Sequence, residues 1–164
     1  MYAALQRLRE GNARFVQGEL HPDVLADSNP FAAVVGCVDA RVPPEIVFDQ
    51  GIGDVFTARV AGNVVSDDIL GSLELAASFG IQLIVVMGHT DCAAIRAVSE
   101  DPGLAYLTPL LEWLRPAVER AGGDTTAATW ENVRNGVARV RADMTVPVVG
   151  AVYDVETGVV TFQE

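Results

Sequence analysis

The sequence predicts an α/β fold: a mainly parallel four-stranded sheet, one antiparallel edge strand, and helices on the faces of the sheet. Two observations lead to this prediction. Short apolar runs alternate along the chain with stretches whose apolar residues recur at helical spacing. The last two apolar runs are joined by the short turn "ETG", which is typical of a hairpin. A length of 164 residues suits one core, so we expect a single domain over 1–164.

The N-terminal segment is predicted to be a helix followed by a connection. Apolar side chains recur at helical spacing from Leu5 to Val16, so one face of residues 1–17 should pack on another element. Residues 18–30 are rich in turn formers and have no period. We therefore expect a connecting loop there.

Five apolar runs predict the strands. The third is almost entirely apolar, as expected for a strand covered on both faces. The fourth and the fifth form the hairpin, with the fifth at the antiparallel edge. The predicted strands span 31–37, 54–60, 82–88, 146–155 and 159–163.

Helices are predicted between these strands. Prolines at 43 and 44 can open a short helix that runs through residue 50. Ser66 is a good N-cap for a helix through Phe79. A third helix begins at Cys92, with Thr90 or Asp91 as its cap.

Two further helices are predicted in the last third of the chain. Residues 104–121 are amphipathic but carry Pro109 and Pro116, so this stretch should be kinked or divided. Residues 131–143 form the last predicted helix.

Charge and composition exclude several functions. The net charge is −11, and all eleven basic residues are arginines, scattered along the chain. This argues against nucleic-acid binding, which needs a basic patch, and the absence of lysine excludes Schiff-base chemistry and a P-loop. No apolar run has the roughly 18 residues of a membrane span, and the N-terminus has no signal-peptide pattern. We expect a cytoplasmic protein.

Two cysteines and a histidine fall at one rim of the predicted sheet. Cys37 ends the first strand, His89 follows the third, and Cys92 begins the next helix. The carboxyl ends of parallel strands are where α/β sheets bind ligands, and two thiolates with one imidazole form a zinc set with a fourth position open. Taken singly, the same residues can be inert core thiols and a partly buried histidine. Asp39 and Arg41 alone can be a surface ion pair.

Together these residues resemble the β-class carbonic anhydrases. The motif Cys37-x-Asp39-x-Arg41 with His89-x-x-Cys92 carries the resemblance, and segments such as "NPFAAVVGC", "ARVAGN" and "LIVVMGHTDC" extend it over nearly the whole chain. The resemblance implies one Zn²⁺ per subunit bound by the two cysteines and the histidine. It also implies reversible hydration of carbon dioxide to bicarbonate and a proton by zinc-bound hydroxide, which the aspartate and arginine orient. In a closed state, Asp39 is a possible fourth ligand.

The resemblance also implies partners and a pocket. Members are dimers or dimers of dimers, in which the first helix packs on the partner subunit and the zinc pocket lies at the interface. The pocket positions correspond to Ser28, Phe56 and Leu75; members with an open site often have glutamine and tyrosine where this chain has serine and leucine. Ala93 stands where glycine commonly follows the second cysteine. With His89 as a ligand, His21 is the one other histidine that could shuttle protons.

The departures leave two alternatives. A less polar pocket suits hydrolysis of carbonyl sulfide or carbon disulfide by the same zinc set. A catalytically silent homologue, with Asp39 permanently on the metal, is the second alternative.

Overall fold

The computed structural model describes residues 1–19 and 29–163. Within them, one five-stranded sheet has the order β2-β1-β3-β4-β5. The strands are β1 (Ala32–Gly36), β2 (Val55–Arg59), β3 (Leu83–His89), β4 (Val148–Tyr153) and β5 (Val160–Gln163). The first four are parallel and β5 pairs antiparallel with β4, so the predicted fold class is confirmed.

Six helices surround this sheet in the described residues. They are α1 (Tyr2–Gln17), α2 (Pro44–Val47), α3 (Asp67–Ser78), α4 (Ala93–Glu100), α5 (Thr108–Arg120) and α6 (Thr125–Asp143). A single 3₁₀ turn, 61–63, follows β2. Among the described residues, no helix combines the length and apolar content that a membrane crossing needs.

The core lies on both faces of the sheet because side chains alternate along each strand. In β3, Val85 and Met87 belong to the cluster that includes α1, α4 and α5. Ile84 and Val86 belong to the cluster that includes α3 and α6. All seven residues of β3 are buried, which explains why this strand is almost entirely apolar.

Helix α6 approaches the sheet closely through glycines. A Cβ added to Gly136 would lie 2.9 Å from Val86 Cγ1, and one added to Gly150 would lie 2.7 Å from Val133 Cγ1. Gly88 on β3 is equally crowded, with Thr129 Cγ2 at 2.8 Å. These contacts leave no room for a side chain at the three glycines. Helix α6 therefore packs closely on β3 and β4, near the carboxyl end of β3.

The last two helices differ from their predicted bounds. Helix α6 begins at Thr125, six residues before the predicted start at Glu131, because the Asp124 side chain accepts a hydrogen bond from Ala127 N at 2.9 Å and caps it. Helix α5 begins only at Thr108, which places Pro109 in its first turn. The chain stays helical through Pro116, so of the two predicted outcomes, a kink or a division, the stretch is not divided at this residue.

One of the two predicted helix caps is confirmed in position and the other is wrong. Ser66 is the N-cap residue of α3, but its side chain makes no capping hydrogen bond. Cys92 is the N-cap of α4, which begins at Ala93 rather than at Cys92, and no side-chain hydrogen bond caps this helix. Thr90 Oγ1 instead accepts a hydrogen bond from Val155 N at 3.0 Å.

Helix α1 packs on its own chain through a buried asparagine. The Asn12 side chain donates to Val47 O at 3.0 Å and Gly158 O at 2.8 Å, and accepts from Val160 N at 2.9 Å. These bonds attach α1 to α2 and to the β4–β5 hairpin. Packing of this helix on a partner subunit stays a prediction.

Candidate metal centre

The topology brings Cys37, His89 and Cys92 together. Cys37 directly follows β1, His89 is the last residue of β3, and Cys92 is the N-cap of α4. In the sheet, β2 lies on one side of β1 and β3 lies on the other side of β1. The loops after β1 and β3 diverge at this reversal of strand order and leave a crevice, where α/β sheets bind ligands.

The three ligand atoms have a spacing that suits a tetrahedral metal. The two Sγ atoms are 4.0 Å apart, and all three possible ligand atoms lie within 4.8 Å of one another. Two sulfurs at zinc-thiolate distance in a tetrahedron would be about 3.8 Å apart. All three residues are at most 4% exposed.

His89 is oriented as a metal ligand. Its Nδ1 lies 2.8 Å from Thr90 O, and since a carbonyl oxygen can only accept, Nδ1 is the protonated nitrogen. That leaves a lone pair on Nε2, which is buried and has no hydrogen-bond partner within residues 1–19 and 29–163. A backbone carbonyl that fixes the tautomer in this way is typical of metal-ligating histidines.

Cys37 and Cys92 shift each other's pKa in opposite directions. The hydrogen bond from Cys92 lowers the pKa of Cys37 to about 4 despite burial, and contacts with His89, Asp39 and Gly62 act in the same direction. The same bond, with burial and the nearby Cys37 charge, raises the pKa of Cys92 above its ordinary range, while the amides of Ala94 and Ile95 oppose this. A divalent cation bound by both sulfurs would favour both thiolates.

A glycine supports the Cys37 thiolate. Gly62 donates its N–H to Cys37 Sγ at 3.3 Å, and its carbonyl accepts from Asn132 Nδ2 at 2.8 Å. Its φ of +67° is a left-handed conformation, and an added Cβ would lie 2.8 Å from Leu114 Cδ1. The turn therefore needs glycine here on two grounds.

Asp39 and Arg41 form a bidentate pair beside the buried ligands. Arg41 Nε donates to Asp39 Oδ1 at 3.0 Å and Nη2 donates to Oδ2 at 2.8 Å, and the Arg41 backbone N–H adds a bond of 2.9 Å to Oδ1. Hydrogen bonds from Arg41 hold the pKa of Asp39 well below its usual range. In this arrangement, both oxygens of Asp39 bind arginine.

The other predicted site residues lie elsewhere or outside the described chain. Phe56 is half-buried on β2 and packs against the cluster on the α3 and α6 side. Leu75 is 56% exposed on α3, and Ala93 is exposed at the start of α4. Ser28 and His21 lie outside the described residues.

Several residues of the site were missed from the sequence. Arg59 donates to Cys37 O at 2.8 Å and to Asp39 O at 2.6 Å, and so ties the loop after β1 to the end of β2. Asp91 accepts from Arg41 Nη1 at 3.0 Å. Arg59 and Gly62 both lie in the stretch "ARVAGN", which carries part of the family resemblance, and Asp91 was predicted as a candidate helix cap between His89 and Cys92.

The fold and the site together define a class of α/β protein with a buried Cys–His–Cys metal-binding group at the carboxyl rim of its sheet. The family model described as carbonic anhydrase matches residues 32–160. This range includes the three candidate metal ligands and all five strands except the last three residues of β5.

Individual relatives agree with this match. Carbonic anhydrase 2 of Mycobacterium tuberculosis is 41% identical over 132 residues, which is 71% of this chain and 63% of that protein. The carbonic anhydrase of Mycolicibacterium smegmatis is 46% identical over 105 residues, which is 58% of this chain and 51% of that protein. The chain thus spans between about half and two thirds of the length of these relatives.

A solved structure is similar over nearly the whole chain. The β-carbonic anhydrase of the fungal pathogen Aspergillus fumigatus superposes with a TM-score of 0.72 at 27% identity, covering 99% of this chain and 90% of that one. This chain belongs to the carbonic anhydrase family, and within it to the β class.

Proposed function

We propose that this protein catalyses the zinc-dependent, reversible hydration of carbon dioxide to bicarbonate and a proton. The observation that carries the proposal is the buried Nε2 of His89, which has no partner among the described residues and lies within 4.8 Å of two buried cysteine sulfurs, together with an aspartate held by an arginine. Membership of the β class supports it.

Cys37, His89 and Cys92 would hold the zinc. Two thiolates and one neutral imidazole fit its preference for sulfur and nitrogen, and three protein ligands leave one position open. When bound there, zinc would act as a Lewis acid that lowers the pKa of water. The N–H of Gly62 would remain on Cys37 and temper the charge that this thiolate donates.

Asp39 and Arg41 would orient the reacting groups. Asp39 stays ionised because Arg41 binds both of its oxygens, and a carboxylate can accept a further hydrogen bond from a substrate-side proton donor. The same pairing favours an open metal site, since an aspartate bound to arginine is turned to its partner rather than to the metal. This supports the enzyme over a silent zinc-binding homologue.

The pocket, proton path and assembly complete the proposal. Phe56, Leu75 and Ser28 would line the pocket, with a homodimer or dimer of dimers closing it, and His21 would pass protons to buffer. The 56% exposure of Leu75 supports a surface that a second subunit covers. A single domain over 1–164 and a cytoplasmic location also remain predictions.

The test combines metal analysis with stopped-flow hydration of carbon dioxide from about pH 7 to 9. We expect one zinc per wild-type chain together with activity, and loss of both in Cys37→Ser. Stoichiometric zinc without hydration at any pH in this range would favour the silent homologue. A wild-type protein that contains no zinc and has no activity would contradict the proposal.

A second candidate is a hydrolase of carbonyl sulfide or carbon disulfide. The apolar, exposed Leu75 favours it, because a pocket lined by leucine in place of a hydroxyl suits apolar substrates. All three substrates should be assayed on one preparation. If the rate of sulfide release exceeds the rate of carbon dioxide hydration, this second candidate is favoured over the main proposal.

A further inference from the structure

The guanidinium of Arg41 is shared between two carboxylates. One edge, Nε and Nη2, binds Asp39, while Nη1 donates to Asp91 Oδ2 at 3.0 Å. Nη2 also donates to Asp91 O at 3.2 Å. The guanidinium is planar and is bound along two edges. It therefore cannot turn about the bonds of the Arg41 side chain without breaking contacts on one of these edges.

Asp91 is held in place independently of Arg41. Its backbone adopts a left-handed conformation with φ of 56°, between the ligands His89 and Cys92. Arg96 on α4 forms an ion pair with Asp91 Oδ1 and also donates to Asp91 O at 3.2 Å. Hydrogen bonds from Arg41 and the charge of Arg96 lower the pKa of Asp91.

The contacts therefore connect the two loops that carry the metal ligands. Arg41 belongs to the loop after β1 and Asp91 to the loop after β3, so their ion pair crosses the crevice between these strands. The chain of charges runs from Asp39 through Arg41 and Asp91 to Arg96. Asp39 lies at the metal end of this chain, and Arg96 anchors the other end to a helix.

We propose that Asp91 is a positioning residue: it fixes the Arg41 guanidinium, and through it keeps the Asp39 carboxylate in the orientation that the reaction needs. This inference rests on the proposed function, because it assigns a role within that same site. Without the Asp91 charge, Arg41 keeps its bonds to Asp39 and to the Asp91 carbonyl oxygen, but Nη1 loses its ion pair, so the guanidinium is less restrained relative to the loop after β3.

Asp91→Asn is a clean test variant. Asparagine has nearly the same shape and tolerates a left-handed backbone, so the substitution removes the charge with little backbone strain. Glu100→Gln on α4 is the matched control, since it removes one exposed carboxylate from the same region. Neither substitution alters a metal ligand.

The first readout is independent of metal and activity. NMR of the zinc-free protein follows rotation of the Arg41 guanidinium about its Cζ–Nη bonds. We expect rotation to be about fivefold faster in Asp91→Asn, because one well-oriented surface ion pair is lost, and unchanged in Glu100→Gln. Unchanged rotation in Asp91→Asn would overturn the inference, whether or not the protein hydrates carbon dioxide.

The second readout is a double-mutant cycle on turnover. We expect Asp91→Asn to lower kcat about fivefold with KM and zinc content unchanged, and to have no further effect in an Arg41→Lys background, where the bridging guanidinium is gone. Equal losses in both backgrounds would show that Asp91 does not act through Arg41. An unchanged kcat in the single variant would equally contradict the role. Should the wild-type protein lack hydration activity, the proposed function fails, and the NMR comparison alone decides on Asp91.

Discussion

The candidate site has two layers with opposite environments. The ligand layer, Cys37, His89 and Cys92, is at most 4% exposed. The charged layer above it is open to solvent: the side chains of Asp39, Arg41 and Asp91 are 17%, 46% and 55% exposed. Buried groups interact strongly and tolerate little change, whereas exposed ion pairs are screened and contribute modestly.

This difference suggests that holding the metal and orienting the reaction are separable. Substitutions in the ligand layer should remove zinc, and activity with it. Substitutions in the charged layer should leave zinc bound and change turnover alone. The predictions below test this separation, beginning with the largest expected effect.

The largest effect is expected for His89→Ala. Loss of one of three ligands should weaken zinc binding by more than about 100-fold. Substitution of groups that only hydrogen-bond to zinc ligands already lowers metal affinity or activity by about 10- to 100-fold. Competition with a chelator measures the affinity. Zinc affinity equal to that of the wild-type protein would remove His89 from the ligand layer.

A smaller effect is expected for Arg41→Ala. Asp39 would lose its bidentate partner, so turnover should fall about tenfold while zinc content stays the same. Arg115→Ala is the control, because Arg115 pairs with Glu112 on the surface of α5 and should not affect turnover. Loss of zinc from Arg41→Ala, as measured by metal analysis, would mean that the layers are not separable.

Substitutions where α6 packs on β3 should have the smallest effect on the site and a clear effect on stability. Gly136→Ala would place a Cβ 2.9 Å from Val86 Cγ1, so we expect the free energy of unfolding to fall by about 1–3 kcal/mol. Gly71→Ala on α3 meets nothing within 4 Å and should raise it by about 0.5–1 kcal/mol. Denaturant titration measures both. Equal effects at the two positions would contradict the close packing of α6 on β3.

The sequence was sufficient to predict the strands and the meeting of Cys37, His89 and Cys92 at one rim of the sheet. Apolar runs and helical spacing are local patterns, and they located all five strands and the ends at which Cys37 and His89 lie. The start of α6 was missed because residues 125–130 have weak helical signals, while Asp124, a common N-cap residue, was overlooked.

The charged layer was only partly predictable, because its contacts join residues distant in sequence. The pair of Asp39 with Arg41 spans two positions and was expected from the motif. The contact of Arg41 with Asp91 spans 50 positions. Such pairs depend on which strands become neighbours in the sheet, and the spacing of residues along the chain does not encode that order.

The most direct test of the separation between layers is Asp39→Asn, with bound zinc and carbon dioxide hydration measured on the same preparation. The substitution keeps the shape of the side chain but removes the charge that Arg41 binds. We predict one zinc per chain, as in the wild-type protein, and turnover about 100-fold lower, the scale of a lost positioned acid–base group. Unchanged turnover, or loss of zinc together with turnover, would contradict the account.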